Sequence, residues 1–364
     1  MVDIVIENVT KRFGTFTAID GMNAVFEDGA VTCLLGPSGC GKTTLMRMIV
    51  GLETQTSGRI LFGNRDMSGL PPRKRNAGMV FQYPVMYQTL SVEENIALPL
   101  NQDKSLSAAE RQRRIDEELD VLDIRDRRKL FIGDLDPGGR QKVAVGRAVA
   151  RRSDIVLFDE PTTNVEVQAK LLLIRAFKLV TQRLKQTIIY VTHDQTEAMT
   201  LADKVALMRN GRIEQYDKPA NLYHRPASDF AGWFLGNPGM NFVPARAVAG
   251  GAETLLTAGP LALEGALEGG KEFRAGIRPE HIGLSDEARP GSVPGTLKDI
   301  NVSIAGRFIA RVTVDGQDIK VKTDRVPTAR RGGQVHLFAD PAEMSFYADG
   351  RRIAAVPAGG QHNR

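Results

Sequence analysis

Gly36-Pro37-Ser38-Gly39-Cys40-Gly41-Lys42-Thr43 follows the apolar run Val31-Thr32-Cys33-Leu34-Leu35 and precedes Thr44-Leu45-Met46-Arg47-Met48-Ile49-Val50. It fills every fixed position of G-x-x-x-x-G-K-[ST], between a strand-like run and a helix-like one. The glycines let the backbone curl so that successive N–H groups turn inward, and the helix that starts here adds its positive dipole end at the same place. Lys42 then reaches the β- and γ-phosphates of a nucleoside triphosphate, and the Thr43 hydroxyl binds Mg²⁺. The plainer reading, a glycine-rich turn before a helix, does not require all of these positions at once.

The 364 residues favour two domains over one. Lys and Arg number 48 against 43 Asp and Glu, a net charge of +5 that is spread along the chain and does not argue for nucleic acid. Both cysteines, Cys33 and Cys40, fall in the strand and the phosphate loop. That placement suits reduced thiols in the cytosol better than a disulfide framework. Met1–Glu7 has neither a basic start nor an apolar core, so no secretory signal is expected. No run approaches the ~18 apolar residues of a membrane span.

Around the loop, apolar and polar residues alternate over 3–8 and again from Ala24 to Phe26. Further strands are expected at Arg59–Phe62, Met79–Phe81, Ile155–Phe158, Thr187–Val191, Lys204–Met208 and Arg212–Gln215. Continuous apolar strands between helices point to a parallel sheet covered on both faces. Between about 90 and 153 the texture turns helical. Ser91-Val92-Glu93-Glu94 and Ser107-Ala108-Ala109-Glu110 read as capping boxes, and Ile115, Leu119 and Leu122 share a face. This block reads as an inserted helical subdomain.

Ile155-Val156-Leu157-Phe158-Asp159-Glu160 ends an apolar strand in two carboxylates. Many strands end so, but after a phosphate loop Asp159 is a metal ligand and Glu160 a general base for the attacking water. The strand Thr187–Val191 delivers Thr192-His193-Asp194, with Asp194 capping the next helix. His193 is either structural or a sensor of the γ-phosphate. Gln82, after the strand ending at Phe81, has an amide that can reach the Mg²⁺ or the water. Beyond residue 237, Gly-Ala turns at Ala247–Ala252 and Ala258–Gly270 separate short runs at Glu272–Ile277, Thr296–Ile304, Arg307–Val314, Asp318–Lys322 and Gln334–Phe338. Such spacing suggests a small barrel or sandwich.

With these residues in place the sequence resembles the ATP-binding subunits of ABC importers, in the sugar and polyol branch that includes the maltose and glycerol-3-phosphate systems. The resemblance runs through Asn8-Val9-Thr10-Lys11-Arg12-Phe13-Gly14, the phosphate loop with Thr44, Val80-Phe81-Gln82, Asp159-Glu160-Pro161, Thr192-His193-Asp194 and Gly276-Ile277-Arg278-Pro279-Glu280-His281. The implied fold class is α/β: a P-loop NTPase (RecA-like) ABC cassette over 1–236 and an all-β, OB-like regulatory or dimerisation domain over 237–364. The resemblance implies that Phe13 stacks on adenine, that Gln82 senses the membrane subunit, and that His193 is a switch. It implies ATP and Mg²⁺ as cofactors and membrane permease subunits as partners. An extracytoplasmic solute-binding protein takes part indirectly, and the chain would sit on the cytoplasmic face of the inner membrane. A soluble ABC-type ATPase and a mainly regulatory, weakly hydrolysing subunit are the alternatives.

Two departures stand out. Where the family has Leu-Ser-Gly-Gly-Gln, this chain has Leu135-Asp136-Pro137-Gly138-Gly139-Arg140-Gln141. Either Ser has become Asp and the first Gly has become Pro, or the glycine pair has slipped by one residue. In the family this signature binds the γ-phosphate held by the opposite subunit, so Asp136, Gly138 and Gly139 would face the partner's ATP. A carboxylate there repels phosphate by up to about 4 kcal/mol at 4 Å and an effective dielectric near 20. Asp-Pro also suits a helix N-cap followed by Pro at the first turn, an end that caps itself. Thr163-Asn164-Val165-Glu166 replaces a loop that usually ends Leu-Asp. An intact phosphate loop beside an altered signature favours pairing with a second, different ATPase subunit over a homodimer.

Overall fold

The computed structural model describes residues 2–83, 85–163, 165, 167–184, 186–249, 251–264, 272–302, 306–354 and 356–357. Two compact units divide the chain, one up to Pro219 and one from Ala220. The composition shift placed that division at 236/237. The helix Asp229–Phe234 and its neighbouring turns instead belong with the later strands. Arg278, only 3 % exposed, donates to the carbonyls of Tyr223, Gly232 and Leu235, and the Tyr347 hydroxyl donates to Pro226. A buried guanidinium needs such partners, and here they come from the helical segment.

In the first unit, Val31–Leu35, Ile155–Asp159, Thr187–Thr192, Lys204–Arg209 and Ala77–Val80 form the parallel part of a six-stranded sheet. Arg212–Asp217 closes one edge antiparallel to Lys204–Arg209. The strands from 31 to 35 and from 155 to 159 are buried at every residue, as a sheet covered on both faces requires. The earlier strands do not join this sheet. Ile4–Phe13, Phe16–Phe26, Ser57–Phe62 and Arg65–Asp66 make a separate antiparallel sheet of four. The helix Lys42–Val50 contributes Leu45, Met46, Met48 and Ile49 to a core shared with Ile4, Ile6 and Phe26 from that sheet and Leu157, Ile189 and Val191 from the parallel one. Burying each such side chain contributes roughly 1.5–3 kcal/mol.

Between Val80 and Ile155 lie the helices Val92–Asn101, Ala108–Val121 and Pro137–Ala150. Ser91 and Glu94 form a reciprocal capping box. At Ser107 only half of the box is made. Its hydroxyl accepts from Glu110 N–H, while the Glu110 carboxylate turns away to Arg113 and Arg114. Ile115, Leu119 and Leu122 are buried together.

The second unit is β-rich, with sheets of seven and five strands. Asn241–Val248 and Gly251–Thr254 form a hairpin where glycine and alanine suggested only a turn. Phe308–Val314 and Gln317–Thr323 are joined by Asp315-Gly316, both at positive φ, as a two-residue hairpin turn demands. No helix of the described residues is long and apolar enough to cross a membrane.

Candidate active site

Register in the parallel sheet assembles the site. Leu35 pairs with Thr192 and Asp159 with Val191, so three neighbouring strands end at one level. The loop from Gly36, the pair Asp159-Glu160 and the turn Thr192-His193 therefore emerge side by side at the strands' carboxyl ends, where open α/β sheets bind ligands.

The phosphate loop has the geometry its glycines allow. Gly39 and Gly41 have φ of 78° and 105°, and a Cβ on Gly41 would stand 2.6 Å from the Ala18 carbonyl oxygen. Gly41 caps the helix without a side-chain acceptor, leaving the first N–H groups of the turn for a ligand. The helix ends at Gly51 (φ 85°), and Arg75 donates to the carbonyls of Met48 and Ile49. Lys42 is 5 % exposed. Its ammonium donates to the carbonyls of Gly36 (2.8 Å) and Pro37 (3.0 Å) and lies 3.8 Å from Cys40 Sγ. Burial pushes the Cys40 thiol up despite that neighbouring charge.

Thr43, in the first turn of the helix Lys42–Val50, and Asp159, the last residue of its strand, bring a hydroxyl and a carboxylate to this end of the sheet. Two hard oxygen donors beside a phosphate loop fit Mg²⁺, which takes few protein ligands and completes its shell from phosphate and water. Burial, and then the charge of Glu160, raise the Asp159 carboxyl above its ordinary value. A bound cation would favour its ionised form.

Glu160 sits at φ 44°, a left-handed conformation that costs a non-glycine residue about 1–2 kcal/mol. Its N–H donates to Val191 and its carbonyl accepts from Thr163 N–H, so both strand and loop hold it there. Its carboxylate accepts from the Thr163 hydroxyl at 3.2 Å and lies 3.1 Å from His193 Nδ1. His193 is 58 % exposed at its side chain. Behind this turn Asp194 accepts from the N–H groups of Thr196 and Glu197. Glu197, fully buried, is held by Lys170 at 2.7 Å, Tyr190 at 3.1 Å and Thr162.

Gln82 lies two residues past Val80, half-buried, and no hydrogen bond joins it to Thr43 or Asp159 among the described residues. Phe13, 47 % exposed, ends its strand opposite Phe16, with the Lys11 ammonium 4.7 Å from its ring centroid. Asn164 and Glu166 of the altered 163–166 loop lie outside the described residues.

At the other end of the helical block, Asp136 is the N-cap of Pro137–Ala150 and accepts from Gly139 N–H at 3.1 Å. The residue reading left out Arg127, whose Nη1 stands 3.0 Å from Asp136 Oδ1. The carboxylate is thus not an isolated charge, and the repulsion expected of it is partly offset. The signal was an arginine nine residues upstream, invisible without the turn that folds it back.

Strands, loop and acidic pair together define a phosphate-loop nucleoside triphosphatase with an inserted helical block. The family model described as ABC transporter matches residues 19–163, and that described as MalK OB fold domain matches residues 236–282. An uncharacterized ABC transporter ATP-binding protein of Sinorhizobium fredii is 39 % identical over 94 % of each chain. An sn-glycerol-3-phosphate import ATP-binding protein of Agrobacterium fabrum is 37 % identical, over 97 % of this chain and 95 % of its own. The solved dimeric ATP-binding cassette MJ0796, in a post-hydrolysis state with ADP and Pi, superposes with a TM-score of 0.53 at 26 % identity, over 59 % of this chain and 98 % of that one. This chain belongs to the family of ABC transporter ATP-binding proteins, in the branch with a MalK-type OB-fold domain. It is an ATPase that uses ATP and Mg²⁺.

Proposed function

We propose that this chain powers the import of a sugar, polyol or glycerol phosphate from the cytoplasmic face of the inner membrane. The observation that carries the reading is the alignment of the phosphate loop, Asp159-Glu160 and His193 at one level of the sheet, in a chain with a MalK-type OB-fold domain. The N–H groups of Gly36–Thr44 cradle the phosphates. Lys42 leaves the carbonyls of Gly36 and Pro37 for the β- and γ-oxygens. Thr43 and Asp159 would hold Mg²⁺, with Gln82 a further candidate ligand, and a cation there would supply charge neutralisation at the phosphate oxygens. Glu160 takes a proton from the attacking water, and His193 keeps that carboxylate aimed while sensing the γ-phosphate. Phe13 stacks on the adenine.

Asp136, Gly138 and Gly139 face the nucleotide of a second subunit. Because Gly139 N–H is already given to Asp136, that surface is a poor phosphate ligand, which supports a heterodimer with a second ATPase subunit. The relative named for glycerol-3-phosphate import supports the solute class. Exposed Phe81, Tyr83, Val85, Tyr87, Leu130 and Phe131 supply an apolar surface for a permease loop.

The test is co-expression with candidate permease subunits, purification through this chain and reconstitution into vesicles. ATP-dependent uptake of a labelled polyol, sugar or glycerol phosphate is expected. Recovery of the chain without any membrane subunit, or with ribosomes or DNA, would contradict the reading.

A further inference from the structure

The segment that follows Gln82 is tied to the helical block at several points. Arg147, on the last turn of the helix Pro137–Ala150, donates from Nη2 to the Val85 carbonyl at 2.6 Å. Asn95, fully buried on the helix Val92–Asn101, accepts from Tyr87 N–H at 3.1 Å and donates to the carbonyls of Tyr87, Leu90 and Ser91. The two helices meet at Gly146. A Cβ there would come 3.2 Å from the Ile96 side chain and 3.0 Å from that of Leu122, so the side-chain anchors stand on helices packed tightly at a glycine. The strand leading into the segment touches the same helix, since a Cβ on Gly78 would lie 3.2 Å from the Ala148 carbonyl oxygen.

Backbone held this firmly turns its side chains outward. On this anchored backbone Val85 and Tyr87 are 74 % and 56 % exposed, unusual for large apolar groups. The Arg147 guanidinium, by contrast, is half-buried, where losing its acceptor leaves a charge poorly solvated.

We propose that Arg147 is a positioning residue that locks the segment 85–90 to the helix Pro137–Ala150, so that the two move as one body. Fourteen residues of helix span about 21 Å. A displacement imposed at Val85 is therefore delivered at Asp136–Gly139, the end that faces the neighbouring nucleotide. The proposal rests on the transport reading for what displaces the segment, and on the hydrogen bonds alone for the lock.

The experiment compares wild type, Arg147→Met and Arg147→Lys in the complete transporter with permease and second ATPase subunit. Permease-stimulated ATPase in Arg147→Met is expected to fall about tenfold, with MgATP affinity of the chain and recovery of the permease unchanged. Arg147→Lys, which keeps the charge and part of the reach, should recover part of the rate. Undiminished stimulation in Arg147→Met would overturn the proposal. So would a parallel loss of MgATP affinity, since the residue would then only support the fold. Amide exchange over 85–90 in the purified full chain tests the lock independently of transport, and Arg147→Met should speed it about tenfold. If the wild-type complex shows no stimulation, the transport reading fails, and the exchange result alone decides the lock: faster exchange upholds it and unchanged exchange refutes it.

Discussion

Glu160 holds an unfavourable backbone conformation, and strain of this kind persists where the surrounding structure over-determines it. Its carboxylate has a hydroxyl on one side and an imidazole on the other, which fixes its direction without filling its lone pairs. The Glu160→Gln chain should bind MgATP normally and hydrolyse it about 10²–10⁴-fold more slowly, as judged by nucleotide binding and phosphate release. Asp136 offers a sharper separation of effects. Serine caps a helix about as well as aspartate, so Asp136→Ser should leave thermal stability within about 0.5 kcal/mol. Removing the carboxylate, together with Pro137→Gly, should raise the ATPase of dimers built from this chain alone. No rise would mean that the charge is not what weakens that surface. The motif residues were legible because their chemistry depends on local spacing. Arg127 and Arg147 were not, because each acts on a partner brought near only by the fold.

At the scale of elements, buried charge makes the clearest predictions. Glu197 on the helix Gln195–Leu201 is fully buried and paired with Lys170 on the helix Val167–Leu184. Lys170→Met removes the partner and leaves a buried carboxylate uncompensated, at a cost of about 3–5 kcal/mol by urea unfolding. Glu197→Gln, whose oxygen still accepts from one of the Thr162 and Tyr190 hydroxyls and whose amide donates to the other, should cost less. In the second unit Tyr223 donates to Glu280, and burial followed by that carboxylate pushes its hydroxyl up to about 12 from an ordinary value of 10.0. Between those values the unfolded chain has lost the phenolic proton and the folded chain keeps it. The stability this group contributes is complete below pH 10 and drains away as pH rises toward 12. Tyr223→Phe should make alkaline unfolding less steep across that window, and an unchanged slope would contradict the assignment. Strands announced themselves by continuous apolar runs, as Val31–Leu35 did without error. The antiparallel sheet of Ile4–Phe13 was not legible as a separate layer. Its alternation carries no record of which strands it pairs with, and register shifts after Ile6 break the pattern. The six-residue helix Asp229–Phe234 is too short to display a period.

For the whole molecule the central claim is that a competent half-site and an altered one share a single chain. The phosphate loop, Asp159, Glu160 and His193 keep their geometry, while the helix end that would serve a neighbour is capped by its own side chain. Length favoured two domains and composition changes near residue 237, while the helix Asp229–Phe234, which reads like its predecessors in sequence, is bound to its successors by Arg278. The most direct measurement is the ATPase rate of the purified chain, alone and after assembly with the permease and a second ATPase subunit, with Glu160→Gln in parallel. Negligible hydrolysis alone, a rise on assembly and loss of that rise in Glu160→Gln are the predicted results. Robust hydrolysis by the chain alone, abolished by Glu160→Gln, would mean that Asp136-Pro137-Gly138-Gly139 is a working phosphate ligand and would contradict the asymmetric account.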